Sequence, residues 1–319
     1  MNLITIAYDV PSLVRLESEY GVPCHEDQWC ARTKEEWDEV TRILPAGQWE
    51  SGPAILKILT DDKLPIPQQV SMFGCHIIIS SLVQEIILFR KSTIQFGADA
   101  DAERATRRFH IALKRWQSMW ESQPRAALSP NSPHGPMLFN STALLRIAYV
   151  RLASDYSFLR GRFALESSDS AAMIGRAIQS MGLPPRNDIT TRAALHSCLA
   201  LKVPTNLGLK LVARTSFWVW SVQHAVCYFE CALLLGSWLQ MMVLCSDDLS
   251  DLEWKVVELL QRLLEFPQCE RSGETLRSMA PAVLRKWSQL LDTKETTVWN
   301  IIPRLSSVLA LRAESISQG

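Results

Sequence analysis

Three short groups of residues in this chain have the types and spacing for chemistry. "PCHEDQWC" gathers Cys24, His25 and Cys30. Structural zinc takes four ligands, usually from two close pairs such as C-x2-C. Here the cysteines are spaced C-x5-C and no second Cys/His pair lies nearby, so a metal is not expected. A second group, His224, Cys227 and Cys231, falls at i, i+3 and i+7 on one helical face. Three soft ligands could hold a metal there with its fourth position open. The stronger reading is a histidine and two small thiols packed inside a buried helix.

The third group is "DDLSD", with Asp247, Asp248 and Asp251. This is the D-D-x-x-D spacing by which helical prenyl and terpene synthases hold magnesium and a diphosphate. It is the sharpest enzymatic signal in the chain, and it defines the alternative reading: an all-α, magnesium-dependent prenyl-diphosphate enzyme using residues 247–251. Two features weigh against it. The acids stand where a connecting loop meets a helix start, a place the helix dipole favours for acids in any case. No second acid-rich metal motif follows downstream. "NDITTRAAL" starts like one, but it lies upstream and has Leu195 where the acid should be.

No phosphate-cradling glycine loop, H-E-x-x-H or G-x-S-x-G occurs, and the six histidines are dispersed. An enzyme is not expected. The 33 basic and 33 acidic residues cancel, whereas a free-standing nucleic-acid binder carries a basic excess or stripe. The nearest candidate, "ERATRRFHIALKRW", gathers Arg104, Arg107, Arg108, Lys114 and Arg115 on an amphipathic helix, and reads as its solvated face. Eight cysteines are scattered through a chain whose first twenty residues lack a basic start and an apolar core. Free thiols in a reducing compartment are the expectation.

The elements that would position these residues are helices. Thr33 and Glu36 form a T-x-x-E capping box before Trp37, Val40 and Ile43. Phe109, Leu113, Trp116 and Trp120 make one apolar stripe, and Leu252, Val256, Leu260 and Leu263 another. Ser250 is placed to cap the second of these helices, with Glu258 and Arg262 as an i,i+4 pair. A last helix around "ETTVWNIIPRLSSVLALRAES" should kink at Pro303. Loops rich in Pro, Gly and Ser separate the helices, and none is long enough for a domain linker. The expectation is a large single all-α domain over residues 1–319.

Two segments, Val70–Phe89 and Phe217–Cys245, are too apolar for surface helices. Each could span a bilayer by length. Each also carries an acid, Glu85 or Glu230, with His76 or His224 nearby, and an acid at bilayer depth is costly. Two central helices of a large soluble core are expected, not a membrane protein. If the fold encloses an effector pocket, these helices are its walls, and His224, Glu230 and Cys227 are the side chains to line it. The competing reading is that such groups satisfy each other or the backbone.

Taken at greater length, "IAYDVPSLVRLESEYGVPCHEDQWCARTKEEWDEV" resembles a segment of the fungal-specific transcription factor domain. This is the middle homology region of fungal zinc-cluster and zinc-finger regulators. The matching points are Asp9–Val10–Pro11 with Leu13, Pro23–Cys24 with Trp29, and Glu35–Glu36–Trp37. "FGCHIIISSLVQEIILFRK" looks like that family's buried helix, and "LLRIAYVRL" is similar to its step into the next helical layer. "LKVPTNLGLKLVARTSFWVWSVQHAVCYFECALLLGSWLQ" is similar to its late segment, in which an S-x-x-H (Ser221, His224) precedes an apolar helix.

The resemblance implies the regulatory half of a transcription regulator, not an enzyme, located in the nucleus. It would act through protein contacts, with an intact family member or a second copy, or through a small-molecule effector. Family members carry a zinc-binding DNA-recognition module, and no C-x2-C occurs in this chain. The resemblance also begins inside the family domain, past its first helices, so the domain is expected to be incomplete at its N-terminal side. DNA would be reached only through a partner or a missing module, and zinc would enter only with that module. Cys24 and Cys30 are then expected to be packing residues where a strand-like lead-in meets a helix, with Trp29 and Trp37 filling the gap.

Overall fold

Apolar residues at helical spacing recur along most of the chain, and a computed structural model turns these stretches into helices. It describes residues 21–44, 57–66, 70–96, 100–156, 170–180, 182–245, 248–266, 273–293 and 301–318. Among the described residues there is no strand. Besides a helical stretch at 57–60, the helices are α1 (Glu26–Cys30), α2 (Lys34–Ile43), α3 (Met72–Phe96), α4 (Ala100–Glu121), α5 (Met137–Ala153) and α6 (Ser170–Gln179). They continue as α7 (Asp188–Leu207), α8 (Leu209–Val219), α9 (Val222–Leu244), α10 (Asp251–Leu264), α11 (Gly273–Leu291) and α12 (Ile301–Gln318). The all-α class is as expected.

The chain divides into two compact units. One comprises Ser12–Ala148, and the other Met1–Pro11 with Tyr149–Gly319.

In the first unit α3 packs on α4. The α4 stripe behaves as its spacing predicts: Leu113 and Trp116 are fully buried. The Trp116 indole N–H donates to the Cys75 carbonyl (3.0 Å), and that of Trp120 to the Leu138 carbonyl (2.9 Å). On the outer face of α4, Arg104 pairs with Asp101 and Arg107 with Glu103. These are exposed pairs of the kind that leave a basic cluster solvated. His76 of α3 sits 3.0 Å from the Ser141 hydroxyl, and burial holds its pKa below the usual histidine value.

The segment before α2 departs from expectation. Residues 21–25 form no regular structure. His25 is the N-cap of α1 and makes a reciprocal capping box with Gln28. Trp29 is 82% exposed, Trp37 is 38% exposed, and Cys30 lies at the surface. The tryptophans therefore do not fill the gap. Polar groups hold this segment instead. The Pro23 carbonyl accepts from the Ser71 hydroxyl (2.9 Å), and the Glu26 carboxylate accepts from the Phe73 amide (3.1 Å). The first N–H groups of a helix have no intrahelical partner. Glu26 satisfies one of these at Phe73, and with the Ser71 hydroxyl this fixes how residues 23–26 lie. The expected Thr33 cap of α2 is present, accepting from the Glu36 amide at 3.2 Å. The Glu36 side chain, however, reaches the Arg32 amide (2.7 Å) one residue further back.

In the second unit α11 packs against α9, α12, α8 and α10, while α7 lies against α9, α10 and α8, and α6 against α12. The α9 helix is the centre of this bundle, buried over most of its length. Gly236 lets it approach α11 closely: a Cβ there would meet the Leu284 side chain at 3.3 Å. Both α3 and α9 are long and apolar enough to cross a membrane by length and composition. For α9 the apolar surface is met by other helices of the same unit. Pro303 lies in the first described turn of α12, so the expected kink falls at the edge of the described residues.

Candidate functional site

The polar residues of α9 sit in an apolar helix, so each has to find a partner inside the unit. His224, Cys227 and Glu230 follow one another at intervals of three along one side. The structure gives them three different surroundings.

Glu230, 2% exposed, faces Arg151 in the last turn of α5, which is 7% exposed. The guanidinium Nε donates to one carboxylate oxygen at 2.8 Å and a terminal nitrogen donates to the other at 2.5 Å. This is the fork-to-fork geometry that makes Arg–carboxylate pairs strong and directional. A cation in the last turn of a helix also meets the negative end of its dipole. Tyr156 is buried nearby. Burial first, and then the Glu230 charge, push its phenol well above the usual tyrosine range, with Arg151 opposing.

Cys227 lies one turn from Cys231, with the sulfurs 3.8 Å apart. Cys198 of α7 is also buried, and burial followed by Cys231 pushes its thiol well above the ordinary cysteine value. The Cys198 thiol so placed stays protonated and is a poor nucleophile. His224 belongs to an aromatic cluster: Trp220 meets it edge-on at 5.1 Å, Tyr228 lies at 5.8 Å, and Trp287 of α11 packs on Tyr228 at 4.7 Å. Among the described residues no group of three or more His, Cys, Asp or Glu is arranged to hold a metal ion.

The aspartate motif has a local explanation. Asp247 lies outside the described residues. Asp251 opens α10 and is exposed. Ser250 is the N-cap, as its position predicts: its hydroxyl accepts from the Glu253 amide, and the Glu253 carboxylate accepts from the Ser250 amide at 2.8 Å. Arg186 then clamps this cap. It forks onto Glu253 at 2.9 and 2.8 Å and reaches both the carbonyl and the carboxylate of Asp248. The Arg186 guanidinium holds the Glu253 carboxyl down to about 2. The acids described here are thus engaged in starting a helix.

Sequence reasoning had no way to pick Arg151, Arg186 or Tyr156. The available signal was weak: an arginine inside the apolar run "LLRIAYVRL", and another in the loop "GLPPRND" just before an N-cap. What the arrangement does chemically is join helices. Arg151–Glu230 ties α5 to α9, the aromatic cluster ties α9 to α11, and Arg186 ties the lead-in of α7 to the start of α10.

No curated protein and no solved structure matches this chain at a significant level. A family model does, over residues 158–311, a span that takes in α6 to α11 and much of α12. The model that matches residues 158–311 is that of the fungal transcription factor C-terminal domain, so this part of the chain is similar to that domain.

Proposed function

We propose that this chain is the regulatory part of a fungal transcription factor, not an enzyme, working in the nucleus through contacts with other proteins. The match of residues 158–311 carries this reading. The local chemistry supports it: the buried thiol of Cys198 is held protonated, Asp248 is met by Arg186, and Asp251 stands in the first turn of α10. The protein partner is an intact family member or a second copy of this chain, and DNA is reached through that partner or a further module. An effector bound near His224, Cys227 and Glu230 would have to share the side chains that already join α9 to its neighbours.

The test is a tethering assay. The full chain is fused to an unrelated DNA-binding domain, and a reporter with that domain's site is read in fungal cells. Reporter output should change, in either direction, relative to the DNA-binding domain alone. Output indistinguishable from that control would overturn the regulatory reading.

A further inference from the structure

The connection between α4 and α5, residues 122–136, forms neither helix nor strand. A connection longer than about 12 residues without secondary structure is uncommon in a compact unit and is usually functional. Its start and its base are held. The Trp120 indole N–H donates to the Leu138 carbonyl across the base (2.9 Å), the Gln123 side chain donates to the Val70 carbonyl (2.8 Å), and Arg125 pairs with Asp27 (3.1 Å). From Ala127 on, the segment reads "ALSPNSPHGP" and its hydrogen bonds are local. Ser129 accepts from the Asn131 amide and Ser132 from the His134 amide, each at 3.3 Å. The Ser132 carbonyl accepts from the Gly135 amide at 3.0 Å. Asn131, Pro133, His134 and Gly135 are exposed, and Ser132 is half-buried. A segment held in this way opens at little cost. It carries serine followed by proline twice, at Ser129–Pro130 and Ser132–Pro133. With histidine neutral, Arg125 is the one charged residue between 122 and 136.

We propose that Ser132 is a phosphorylation site for a proline-directed serine/threonine kinase, with Ser129 as a second, slower acceptor. Proline has no N–H. A kinase that seats the residue after the serine in an apolar pocket therefore takes proline without burying a donor, whereas any other residue leaves its amide there without an acceptor. Pro133 is exposed and free to enter such a pocket, while Pro130 is buried, which ranks Ser132 ahead of Ser129. ATP is the co-substrate. The Ser132 Oγ attacks the γ-phosphorus and its proton passes to a carboxylate of the kinase; the new O–P bond forms as the bond to the β,γ-bridging oxygen breaks, and ADP leaves. The loop accommodates the product. The His134 amide that meets the Ser132 oxygen meets a charged phosphate oxygen more strongly. The phosphate adds a charge of about −1.5 to −2 at pH 7, and no carboxylate between 122 and 136 opposes it. Pro130, Pro133 and Pro136 also have the spacing of a polyproline ligand, but Pro130 is buried and Gly135 turns the chain at a φ of 83°, outside the polyproline range. This site goes beyond the regulatory reading and does not rest on it.

The test uses the full chain, purified and shown to melt cooperatively. It is incubated with magnesium, ATP and a mitogen-activated, proline-directed kinase, and the sites are mapped by mass spectrometry over time. Phosphate should reach Ser132 first and Ser129 later. Pro133→Ala should slow labelling of Ser132 about tenfold or more, the discrimination that one pocket contact supplies. Because Pro133 is exposed, the melt of that variant should match the parent. A bare Ser132, while the same kinase fully labels a control peptide, overturns the proposal. Labelling that requires a heat-denatured chain overturns it too, since the folded loop would then not present the serine. Labelling of Ser132 that Pro133→Ala leaves unchanged overturns the assigned kinase class, and labelling of Ser129 ahead of Ser132 overturns the assigned acceptor. The readout involves no transcription, so none of these results bears on the tethering assay, and an inactive reporter leaves this site standing.

Discussion

Replacing Glu230 by leucine tests what the polar interior of α9 is for. The carboxylate and the Arg151 guanidinium are 3% and 8% exposed at their side chains, and they meet through two short bonds. Glu230→Leu removes the acid and leaves a desolvated cation facing an apolar side chain. Breaking a buried pair in this way costs about 3–5 kcal/mol, a large part of the 5–15 kcal/mol that holds a typical protein folded. Arg151→Met should cost a similar amount, since it strands the carboxylate. The double variant removes both charges and fills the space with apolar atoms of similar volume. Such replacements range from neutral to about 1–4 kcal/mol stabilising. The three variants and the parent form a cycle, read by chemical denaturation. The expected result is two severe single variants and a double variant near the parent, non-additive by several kcal/mol. Independent sites would add within about 0.3–0.5 kcal/mol. Two mild single variants that simply add would refute the reasoning. So would a Glu230→Leu protein as stable as its parent, the outcome expected if Glu230 were held ready for an effector.

Two further outcomes follow from groups with shifted pKa. The Glu253 carboxyl, drawn down from 4.5 to about 2 by Arg186, contributes stability that is fully present above the unfolded value. That contribution is lost as pH falls from about 4.5 through about 2. The whole shift corresponds to about 3 kcal/mol, and solvent around the partly exposed Arg186 reduces this to about 1–2 kcal/mol. Arg186→Gln should remove that acid-limb dependence in a stability profile from pH 5 to pH 2; a profile identical to the parent's would count against the clamp. For the thiols, an aromatic disulfide reagent at pH 8 should label exposed Cys30 ahead of buried Cys75, Cys198, Cys227 and Cys231. Burial pushes Cys75 up to about 12, and only thiolates react. Mass mapping after brief exposure decides it, and early labelling of Cys198 would overturn the assignment.

Local features were legible in the sequence because they depend on neighbours in the chain. Ser250 caps α10, Thr33 caps α2, and Leu113 and Trp116 face inward on α4, each following from spacing of three or four residues. The apolar content of α9 likewise announced a central helix. Long-range partners were not legible. Arg151 and Glu230 are 79 residues apart, and nothing in either segment selects the other. The same holds for Arg186 and Glu253, separated by 67. The D-D-x-x-D misleads for that reason: its spacing is local, while the cation that answers it comes from the lead-in to another helix.

The tryptophans near the start of the described chain fail differently. Size and apolarity predict burial for Trp29 and Trp37, but burial needs a surface to face. In this segment the Phe73 N–H, the Ser71 hydroxyl and the Gln28–Thr41 contact hold residues 23–28, and the indoles are turned outward. A buried acid and an exposed tryptophan are both departures from the simple rule of apolar inside and polar outside, and they have different causes. Glu230 has its partner within the fold, so it reads as structure. Trp29 on α1 and Trp37 on α2 are instead exposed because polar contacts place their segment before any apolar surface does.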